Sequence, residues 1–429
     1  MPTTRREFLT ASALAAAALA AGGVPGAMAA GRPAGARRPD GKPLRILILG
    51  GTGFLGPAIV EDALAKHYDL TLFNRGKREK VKGTDFEGVE KLLGNRDPQK
   101  HSEEKDPDSP LGLSQIEALV KDGKKWDAVI DTSGYFPRHV KASAELLAKA
   151  ADQYMFISTV SVYAANDTPG ADETAAVGTI PDPTVENMGA NLGNYGPLKA
   201  LCEQAAEAAM PGRVTNIRPG FIVGVRDDTD RFTYWPVRAS QGGEMLVPGA
   251  AGDPIQIIDV RDLARFILRC IEDKHFGVMN ATGPVGGGTW GQVIDACKAA
   301  AKPGEHDERL TLTWVPNDFL VKNNVEIGGD LPIYIPPDGE AAGFHQRSIA
   351  KATAAGLTTR PVVETCREIL AWWPKELERR AKVTKDMQAA AKPGTTPPAM
   401  PDPTKLRAGM SPEREAEILE AWKKEKAAK

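Results

Sequence analysis

The chain has 429 residues, of which 42% are hydrophobic and 26% are charged, and its formal net charge is −2. This length suits one large domain or two ordinary ones, and the composition is typical of a globular protein. The near-neutral charge excludes a global basic field that would recruit nucleic acid. The four cysteines are far apart and show no metal-ligand spacing, so we expect buried free thiols and no metal site.

The first residues predict an export signal. Arg5-Arg6 precedes an Ala/Leu-rich run, and Ala27-Met28-Ala29 then forms an A-x-A cleavage pattern. This arrangement resembles a twin-arginine signal peptide over residues 1–29, and its apolar run is too short to span a membrane stably. We therefore expect recognition by the twin-arginine translocation machinery and a periplasmic or otherwise exported location. Residues 30–43, rich in Gly, Pro and Arg, predict a flexible leader.

A strand, a glycine-rich turn and a helix are predicted next. The apolar run 44–49 is typical of a strand buried on both faces of a parallel sheet. The glycines that follow have G-x-x-G-x-x-G spacing, which permits a tight turn and close approach of a pyrophosphate at a helix N-terminus. The sequence therefore predicts a dinucleotide site. Its candidate cofactor-binding residues are Gly50, Thr52, Gly53, Phe54, Leu55 and Gly56.

The exit of the second predicted strand, 68–73, indicates which dinucleotide is bound. In sites that prefer NAD, an acidic residue here holds the ribose 2′-hydroxyl. This chain has Asn74 and Arg75 instead, and Arg75 is placed to meet a 2′-phosphate. We predict that both residues bind the cofactor and that NADP is preferred over NAD; the alternative is that Arg75 only faces solvent.

Four more strands are predicted: one, with its exit loop, over 89–97, and the others over 126–131, 153–158 and 214–217, with helices between most of them. This alternation predicts an α/β protein with a Rossmann-type, doubly wound parallel sheet, in an NAD(P)-binding domain over 44–218. Ligands bind at the carboxyl ends of the strands in such sheets. Asp131 and Ser133, where the fourth strand ends, are therefore candidate cofactor-binding residues.

Beyond residue 218 the pattern changes to short strands, frequent prolines and separated helices. This change predicts a smaller C-terminal α/β substrate-binding lobe over 219–384, closed by an apolar helix over 361–373. Residues 385–429 predict a linker and a charged helix, for which Ser411 is the N-cap. The apolar stripe of this helix either docks on the body of the protein or binds a partner.

Tyr195 and Lys199 are candidate catalytic residues, because they lie one helical turn apart on one face of a predicted helix. An ammonium near a phenol favours the phenolate and can lower its pKa by roughly 1–3 units, which suits Tyr195 to general acid/base work. Thr159 leaves the fifth strand at the ligand-binding edge of the sheet. Its hydroxyl can hold a substrate oxygen while a hydride moves.

As an ordered set, four motifs resemble the extended short-chain dehydrogenase/reductase superfamily, and within it the NAD-dependent epimerase/dehydratase group. They are Gly50-x-x-Gly53-x-x-Gly56, Ser158-Thr159-x-x-x-Tyr163, Tyr195-x-x-x-Lys199 and Arg218-Pro219-Gly220. The resemblance implies that Tyr195 is the acid/base, that Lys199 binds the nicotinamide ribose and that Thr159 completes the triad, with Ser161 as runner-up. It also adds Pro219 to the cofactor-binding residues and implies that a homodimer can form through helices near the Tyr-x-x-x-Lys segment.

Two positions depart from the family pattern. Sugar 4,6-dehydratases of the family carry an Asp-Glu pair directly after the catalytic threonine, where this chain has Val160 and Ser161. An elimination step therefore has no obvious acid and base. Asn95 replaces an aspartate common after the third strand, which weakens the assignment of an adenine contact there.

Two arginines of the predicted substrate lobe, Arg231 and Arg261, are candidate substrate-binding residues. The resemblance implies this role, because family members use arginines of this lobe on a substrate diphosphate. For Arg261, a structural ion pair with Asp259 is an equal alternative.

Together these features predict an NAD(P)-dependent sugar epimerase or isomerase that acts on a small, sugar-like molecule. A hydride would leave a carbinol carbon while Tyr195 takes the hydroxyl proton. Because an exported enzyme has no obvious pool of soluble NADP, we expect a tightly bound cofactor that is regenerated in place. The alternatives are a net NADP-dependent carbonyl reductase and a non-enzymatic protein that binds dinucleotide or RNA. The intact Thr/Tyr/Lys set and the slightly negative charge count against the last.

Overall fold

The structure is a computed structural model that describes residues 35–77, 79–301, 310–389 and 402–428. The predicted signal peptide, 1–29, lies outside the described residues. The described residues from Ala36 onward belong to one compact unit. The last residues of the predicted leader contact this unit, because the Ala36 N–H donates to the Tyr68 hydroxyl at 3.0 Å.

The chain alternates strands and helices up to its sixth strand. The strands are β1 (Arg45–Leu49), β2 (Asp69–Asn74), β3 (Glu90–Leu93), β4 (Trp126–Asp131), β5 (Ala151–Ile157), β6 (Val214–Pro219), β7 (Phe221–Val223), β8 (Glu244–Pro248), β9 (Ile257–Asp259), β10 (Gly277–Ala281) and β11 (Thr311–Val315). The helices are α1 (Leu55–Ala65), α2 (Glu79–Lys82), α3 (Ser114–Lys121), α4 (Pro137–Leu147), α5 (Tyr195–Ala209), α6 (Tyr234–Ser240), α7 (Val260–Glu272), α8 (Trp290–Ala300), α9 (Asn317–Lys322), α10 (Ala350–Ala354), α11 (Val362–Ala389) and α12 (Pro412–Ala427).

Seven strands form one sheet in the order β10-β6-β5-β4-β1-β2-β3, and every neighbouring pair is parallel. All residues of β1 except Arg45 are buried, as expected for a central strand covered on both faces. Helices α1 and α7 pack on one face of the sheet, and α3, α4 and α5 pack on the other. The predicted doubly wound α/β fold is confirmed.

The seventh strand comes from the segment that the sequence assigns to a separate substrate lobe. β10 pairs with β6, with Gly277 opposite Thr215 and Ala281 opposite Pro219. The predicted boundary at 218/219 therefore falls inside β6, and the later segment returns to complete the sheet. A local pattern cannot reveal this return, because the pairing joins residues that are far apart in sequence.

The rest of the later segment builds a second core from α6, β8, α8, α11 and α12. Trp235 and Trp290 meet edge to face at its centre, with ring centroids 4.8 Å apart. The Trp235 Nε1–H donates to the Pro332 carbonyl at 2.8 Å, which satisfies its polar atom inside an apolar environment. The four cysteines are buried free thiols, as predicted.

Helix α11 is much longer than the predicted helix over 361–373, and it runs through the predicted boundary at 384/385. Pro374 lies inside it. The helix continues past this proline because Arg380 and Glu376 are buried on its next turns, and both Arg380 terminal nitrogens donate to Asp230 at 2.7 Å. None of the described helices is both long and apolar enough to cross a lipid bilayer.

Helix α12 docks on the body of the protein, which decides between the two roles considered for it. Ile418 and Leu419 are buried in the second core. Glu415 accepts hydrogen bonds from Arg238 Nε at 2.6 Å and from the Leu246 N–H at 2.9 Å. Ser411 caps the helix as predicted, by accepting from the Arg414 N–H at 3.2 Å.

We expect Glu415→Ala to lower the free energy of unfolding by about 2 kcal/mol, because it removes the carboxylate partner of the part-buried Arg238 guanidinium and leaves the buried Leu246 amide without its acceptor. Glu417→Ala is the matched control, since Glu417 pairs with Arg414 at the surface, where its side chain is 66% exposed. The control should cost no more than about 1 kcal/mol. Urea unfolding of both variants measures the difference, and equal costs would contradict the docking of α12.

Candidate active site

A cleft of about 800 Å³ opens at the carboxyl ends of the parallel strands. The glycine-rich turn after β1 and the exits of β2 to β6 line it, together with residues that follow β7. Fourteen of the sixteen site residues predicted from the sequence contribute to its lining. They are Gly50, Thr52, Gly53, Phe54, Leu55, Gly56, Asn74, Arg75, Ser133, Thr159, Tyr195, Lys199, Pro219 and Arg231.

The glycine-rich turn leaves room for an anionic ligand at the start of α1. A Cβ on Gly56 would lie 2.5 Å from the Gly50 carbonyl oxygen, so only glycine lets the helix pack this closely against the turn. At Gly53, by contrast, a Cβ would meet nothing within 4 Å. Helix α1 has no side-chain cap and no acidic residue in its first turn. Its N–H groups and positive dipole end therefore suit a pyrophosphate.

The end of the cleft beside β2 carries the residues predicted to select the dinucleotide. The Thr52 hydroxyl donates to Asn74 Oδ1 at 3.4 Å, which fixes the side chain that ends β2. Arg75 is exposed. Lys77, which also lines the cleft, pairs with Glu103 at 3.2 Å. The preference for NADP stays a prediction.

Asp131 does not line the cleft, although the sequence places it among the cofactor-binding residues. It is fully buried, and its carboxylate accepts hydrogen bonds from Arg96 Nη2 at 2.5 Å, from the Tyr154 hydroxyl at 2.8 Å and from the Ser133 N–H at 3.0 Å. The carboxylate thus links Arg96, which follows β3, to the end of β4. Ser133 stays in the lining, and its hydroxyl donates to the Leu49 carbonyl at 3.1 Å.

Arg96 is a cleft residue that the sequence reading did not select. Its Nη2 pairs with Asp131, while its Nε and Nη1 are buried without a hydrogen-bond partner among the described residues. A buried donor without an acceptor is costly, so Arg96 suits an oxygen or nitrogen acceptor of a bound cofactor. The signal was its position after the third strand, at the edge where ligands bind.

Lys199 is buried on α5 at the floor of the cleft, where its Nζ donates to the Ile157 carbonyl at 2.6 Å and to the Gly134 carbonyl at 2.8 Å. The ammonium also lies 4.1 Å from the centroid of the Phe156 ring. Burial lowers the pKa of Lys199 to about 8. The lysine is therefore held at the exits of β4 and β5, where the resemblance expects it to meet the nicotinamide ribose.

Tyr195 begins α5 and lines the same cleft as the glycine turn. Burial raises the pKa of its phenol to about 12, and a hydrogen bond with Thr159 opposes this rise. This differs from the lowered pKa expected from the Tyr-x-x-x-Lys spacing. The reason is that the phenol is largely desolvated, while the Lys199 ammonium is committed to two backbone carbonyls.

Thr159 and its runner-up Ser161 both line the cleft. The Thr159 Oγ1 accepts from the Ser161 N–H at 3.1 Å and donates to the Ser161 hydroxyl at 3.2 Å. Of the two, Thr159 is buried, and its hydroxyl is the one close enough to Tyr195 to oppose the rise in the pKa of the phenol. This contact favours Thr159 as the hydroxyl that acts with the phenol.

The two predicted substrate arginines are in different places. Arg231 lines the cleft, with its guanidinium 5.3 Å from the centroid of the Phe221 ring. Arg261 does not, because it pairs with Asp259 at 2.7 Å and with Glu368. The structure therefore favours the ion-pair alternative for Arg261, whose donors are engaged by carboxylates from β9 and α11.

Several cleft residues were not selected from the sequence. Besides Arg96 they include Tyr135, Phe136, His139, Ser158, Asp227 and Phe344. Most of them follow strand exits or lie in irregular segments, where no periodicity marks a side chain as facing a ligand. Only their position after a strand could have indicated them.

The fold and the cleft define a dinucleotide-binding protein of the Rossmann type. Residues 46–282 match the NAD dependent epimerase/dehydratase family. This match covers more than half of the chain, so the chain belongs to that family, as its motifs predicted.

Known proteins similar to this chain support the same fold. The chloroplast stem-loop binding protein of 41 kDa b from Arabidopsis thaliana is 24% identical over 278 residues, which are 64% of this chain and 67% of the relative. The UDP-Glc/GlcNAc 4-epimerase from Campylobacter jejuni has a TM-score of 0.53 at 17% identity, over 77% of this chain and 99% of that one. The Bordetella bronchiseptica enzyme WbmH, in complex with NAD+, has a TM-score of 0.50 at 14% identity, over 78% and 99% of the two chains.

We expect Gly53→Ala and Gly56→Ala to fail in different ways. Gly56→Ala should lower the free energy of unfolding by about 1–3 kcal/mol, because its Cβ meets backbone atoms that cannot yield. Gly53→Ala should fold normally but hold nicotinamide dinucleotide more weakly, since its methyl group enters the space left for the phosphates. Urea unfolding and cofactor titration distinguish the two. Full cofactor affinity in Gly53→Ala would contradict this placement of the phosphates.

The buried Lys199 predicts a pH-dependent stability of the cofactor-free protein. The pKa of Lys199 is about 8 in the folded protein, whereas a solvated lysine has a pKa of 10.5. At pH values between these two, the unfolded chain therefore holds a proton that the folded chain lacks. The free energy of unfolding should therefore rise with pH across this window, relative to Lys199→Met, by about 3 kcal/mol in total. Urea unfolding at pH 7.5 and 10.5 measures this. The exposed control Lys141→Met should show no such trend. The prediction is refuted if the difference in unfolding free energy between the parent and Lys199→Met does not change with pH.

Proposed function

We propose that this protein is an NAD(P)-dependent epimerase or isomerase that acts on a sugar-like alcohol. The observation that carries the proposal is the convergence of Thr159, Tyr195 and Lys199 on the cleft that the glycine turn lines. Thr159 follows β5, and Tyr195 and Lys199 come from α5, at the carboxyl edge of the sheet, where a dinucleotide bound by the turn would present its nicotinamide. The family and the epimerase neighbours support this reading.

In the proposed reaction, Tyr195 takes the proton of a substrate hydroxyl while the carbinol carbon loses a hydride. A bound nicotinamide supplies the hydride acceptor, and its oxidised form adds a positive charge to the site. Such a charge favours the phenolate and works against the high pKa that burial gives Tyr195. Thr159 holds the substrate oxygen. The fixed ammonium of Lys199 lies at the cofactor side of the cleft, where it would bind the nicotinamide ribose.

The reaction is proposed to return the hydride to the same substrate molecule, with NADP as the preferred cofactor. Arg75, exposed after β2, supports binding of a 2′-phosphate. The Arg5-Arg6 signal supports export through the twin-arginine route, which carries folded proteins with their cofactor in place. A closed cycle then needs no supply of reduced or oxidised cofactor outside the cytoplasm. A net reductase would instead exchange its cofactor during turnover.

A second candidate function is binding without catalysis. The observation that favours it is the similarity to a chloroplast protein named for stem-loop binding. The net charge of −2 and the intact Thr/Tyr/Lys set count against it. The two functions differ in whether the phenol of Tyr195 is needed.

We expect purified full-length protein to carry NADP or NAD, which mass spectrometry of the molecules released on denaturation would identify. Addition of a reactive sugar should change the absorbance of the bound cofactor and yield an isomer without added cofactor. Tyr195→Phe should keep the cofactor but lose turnover at least about 100-fold, the usual contribution of a general acid/base. Tyr68→Phe is the control, because this buried tyrosine bonds Glu272 away from the cleft.

Three results would count against the proposal. Cofactor-free protein with only stoichiometric oxidation of added NADPH would indicate a net oxidoreductase. A Tyr195→Phe variant that keeps full turnover would remove the assigned acid/base. RNA binding that survives this substitution, with no reaction of any sugar, would favour the binding function.

A further inference from the structure

In the part of the chain that the structure describes, four aspartates make the same local turn with a threonine two residues later. They are Asp172, Asp182, Asp227 and Asp402, with Thr174, Thr184, Thr229 and Thr404. In each turn one carboxylate oxygen accepts from the threonine N–H at 2.9 Å and from its hydroxyl at 2.6 Å. The turn therefore needs only one of the two oxygens, and the second is available for another partner.

The second oxygen has different surroundings at Asp227. Asp172, Asp182 and Asp402 are exposed, so water solvates their second oxygen. Asp227 is only 3% exposed and lines the cleft, and its Oδ2 is buried without a hydrogen-bond partner among the described residues. Threonine hydrogen bonds lower the pKa of the exposed three, whereas burial raises the pKa of Asp227. An unpartnered buried carboxylate oxygen is costly unless a ligand supplies a donor.

The neighbouring carboxylates of the same loop are already paired. Asp228 forms an ion pair with Lys82. Asp230 accepts from both terminal nitrogens of Arg380 at 2.7 Å. These two pairs fasten the loop directly after Asp227 to α2 and α11. Asp227 is thus held in the cleft wall by its neighbours, with one acceptor atom left for something that enters the cleft.

Arg231 provides a donor beside this acceptor. Its Nε donates to the Thr229 hydroxyl at 3.0 Å, and the same hydroxyl donates to Asp227. Arg231 and Asp227 therefore flank Thr229, and the negative carboxylate offsets the positive guanidinium. Phe221, which lies under the guanidinium, adds an apolar surface. Alternating donor and acceptor groups beside an aromatic ring suit a ring with several hydroxyl groups, each of which both donates and accepts.

We propose that Asp227 accepts a hydrogen bond from a hydroxyl of a neutral polyol, a free sugar or cyclitol, while Arg231 donates to an adjacent oxygen of the same molecule. A sugar diphosphate fits this part of the cleft poorly, because its charge would lie against the Asp227 carboxylate. This inference rests on the proposed function and narrows its substrate class. Asp227 is a substrate-binding residue and takes no part in the hydride transfer.

Binding to the cofactor-loaded Tyr195→Phe protein tests the inference without turnover. The probes are D-glucose, D-galactose, myo-inositol and UDP-glucose, with affinities from calorimetry or saturation-transfer NMR. At least one neutral probe should bind more tightly than UDP-glucose. Adding Asp227→Asn should weaken that probe about tenfold or more, because a hydrogen bond to a charged group is lost. Arg231→Gln, a second variant, should act in the same direction.

Asp182→Asn is the matched control, since Asp182 makes the identical turn at the surface. It should leave the affinity unchanged, and the melting temperatures of all variants would show that they fold. The inference is overturned if no neutral probe binds, if UDP-glucose binds most tightly, or if Asp227→Asn and Arg231→Gln both bind as the parent does. Loss of the cofactor from the parent would instead contradict the proposed function, so the two failures are distinguishable.

Discussion

The site depends on one buried ammonium. Lys199 gives two of its three N–H groups to the carbonyls of Ile157 and Gly134, where β5 and β4 end. Helix α5 is thereby fixed to two strand exits, and Tyr195, one turn earlier, takes its place in the cleft wall. Burial removes water from the ammonium and lowers its pKa. The two hydrogen bonds to backbone carbonyls therefore hold it in place, and any substitution of Lys199 would disturb them. The lysine that the resemblance assigns to the cofactor thus also positions Tyr195 in the wall of the cleft.

Much of the sheet could be predicted from local patterns. The apolar run of β1, the glycine turn and the helix that carries Tyr195 all follow from periodicity and spacing. The return of β10 to pair with β6 could not be predicted, because nothing in Gly277–Ala281 marks its partner. The length of α11 was missed for a related reason: distant Asp230 stabilises the helix beyond Pro374.

The same distinction separates the site residues that were found from those that were not. Glycines and the Tyr/Lys pair carry their chemistry in their own spacing, so the sequence reveals them. Asp131 and Arg261 look like ligand-binding charges at strand ends, yet Arg96 neutralises one and Glu368 pairs with the other. The role of a charged residue depends on its partners. Arg96 and Glu368 are tens of residues or more away in the chain, whereas Asp259, the near partner of Arg261, could be named from the sequence. Asp227 illustrates the converse, since its local turn is identical to three that face water.

Some cleft residues have buried polar atoms without a hydrogen-bond partner among the described residues, and these atoms are donors at one end of the cleft and an acceptor at the other. No hydrogen-bond partner is found among the described residues for two donors of Arg96 after β3, for one acceptor of Asp227 after β7 or for the Ser158 hydroxyl beside Thr159. A buried polar atom that the fold leaves without a partner is costly, so a ligand that supplies the complementary atom at these positions would be stabilised. Donors beside the β3 exit suit the acceptor-rich adenosine of a dinucleotide, and an acceptor at the far end suits a hydroxyl. Under the proposed function, this polarity would orient the cofactor and the substrate relative to each other, with the Thr159, Tyr195 and Lys199 group where they would meet.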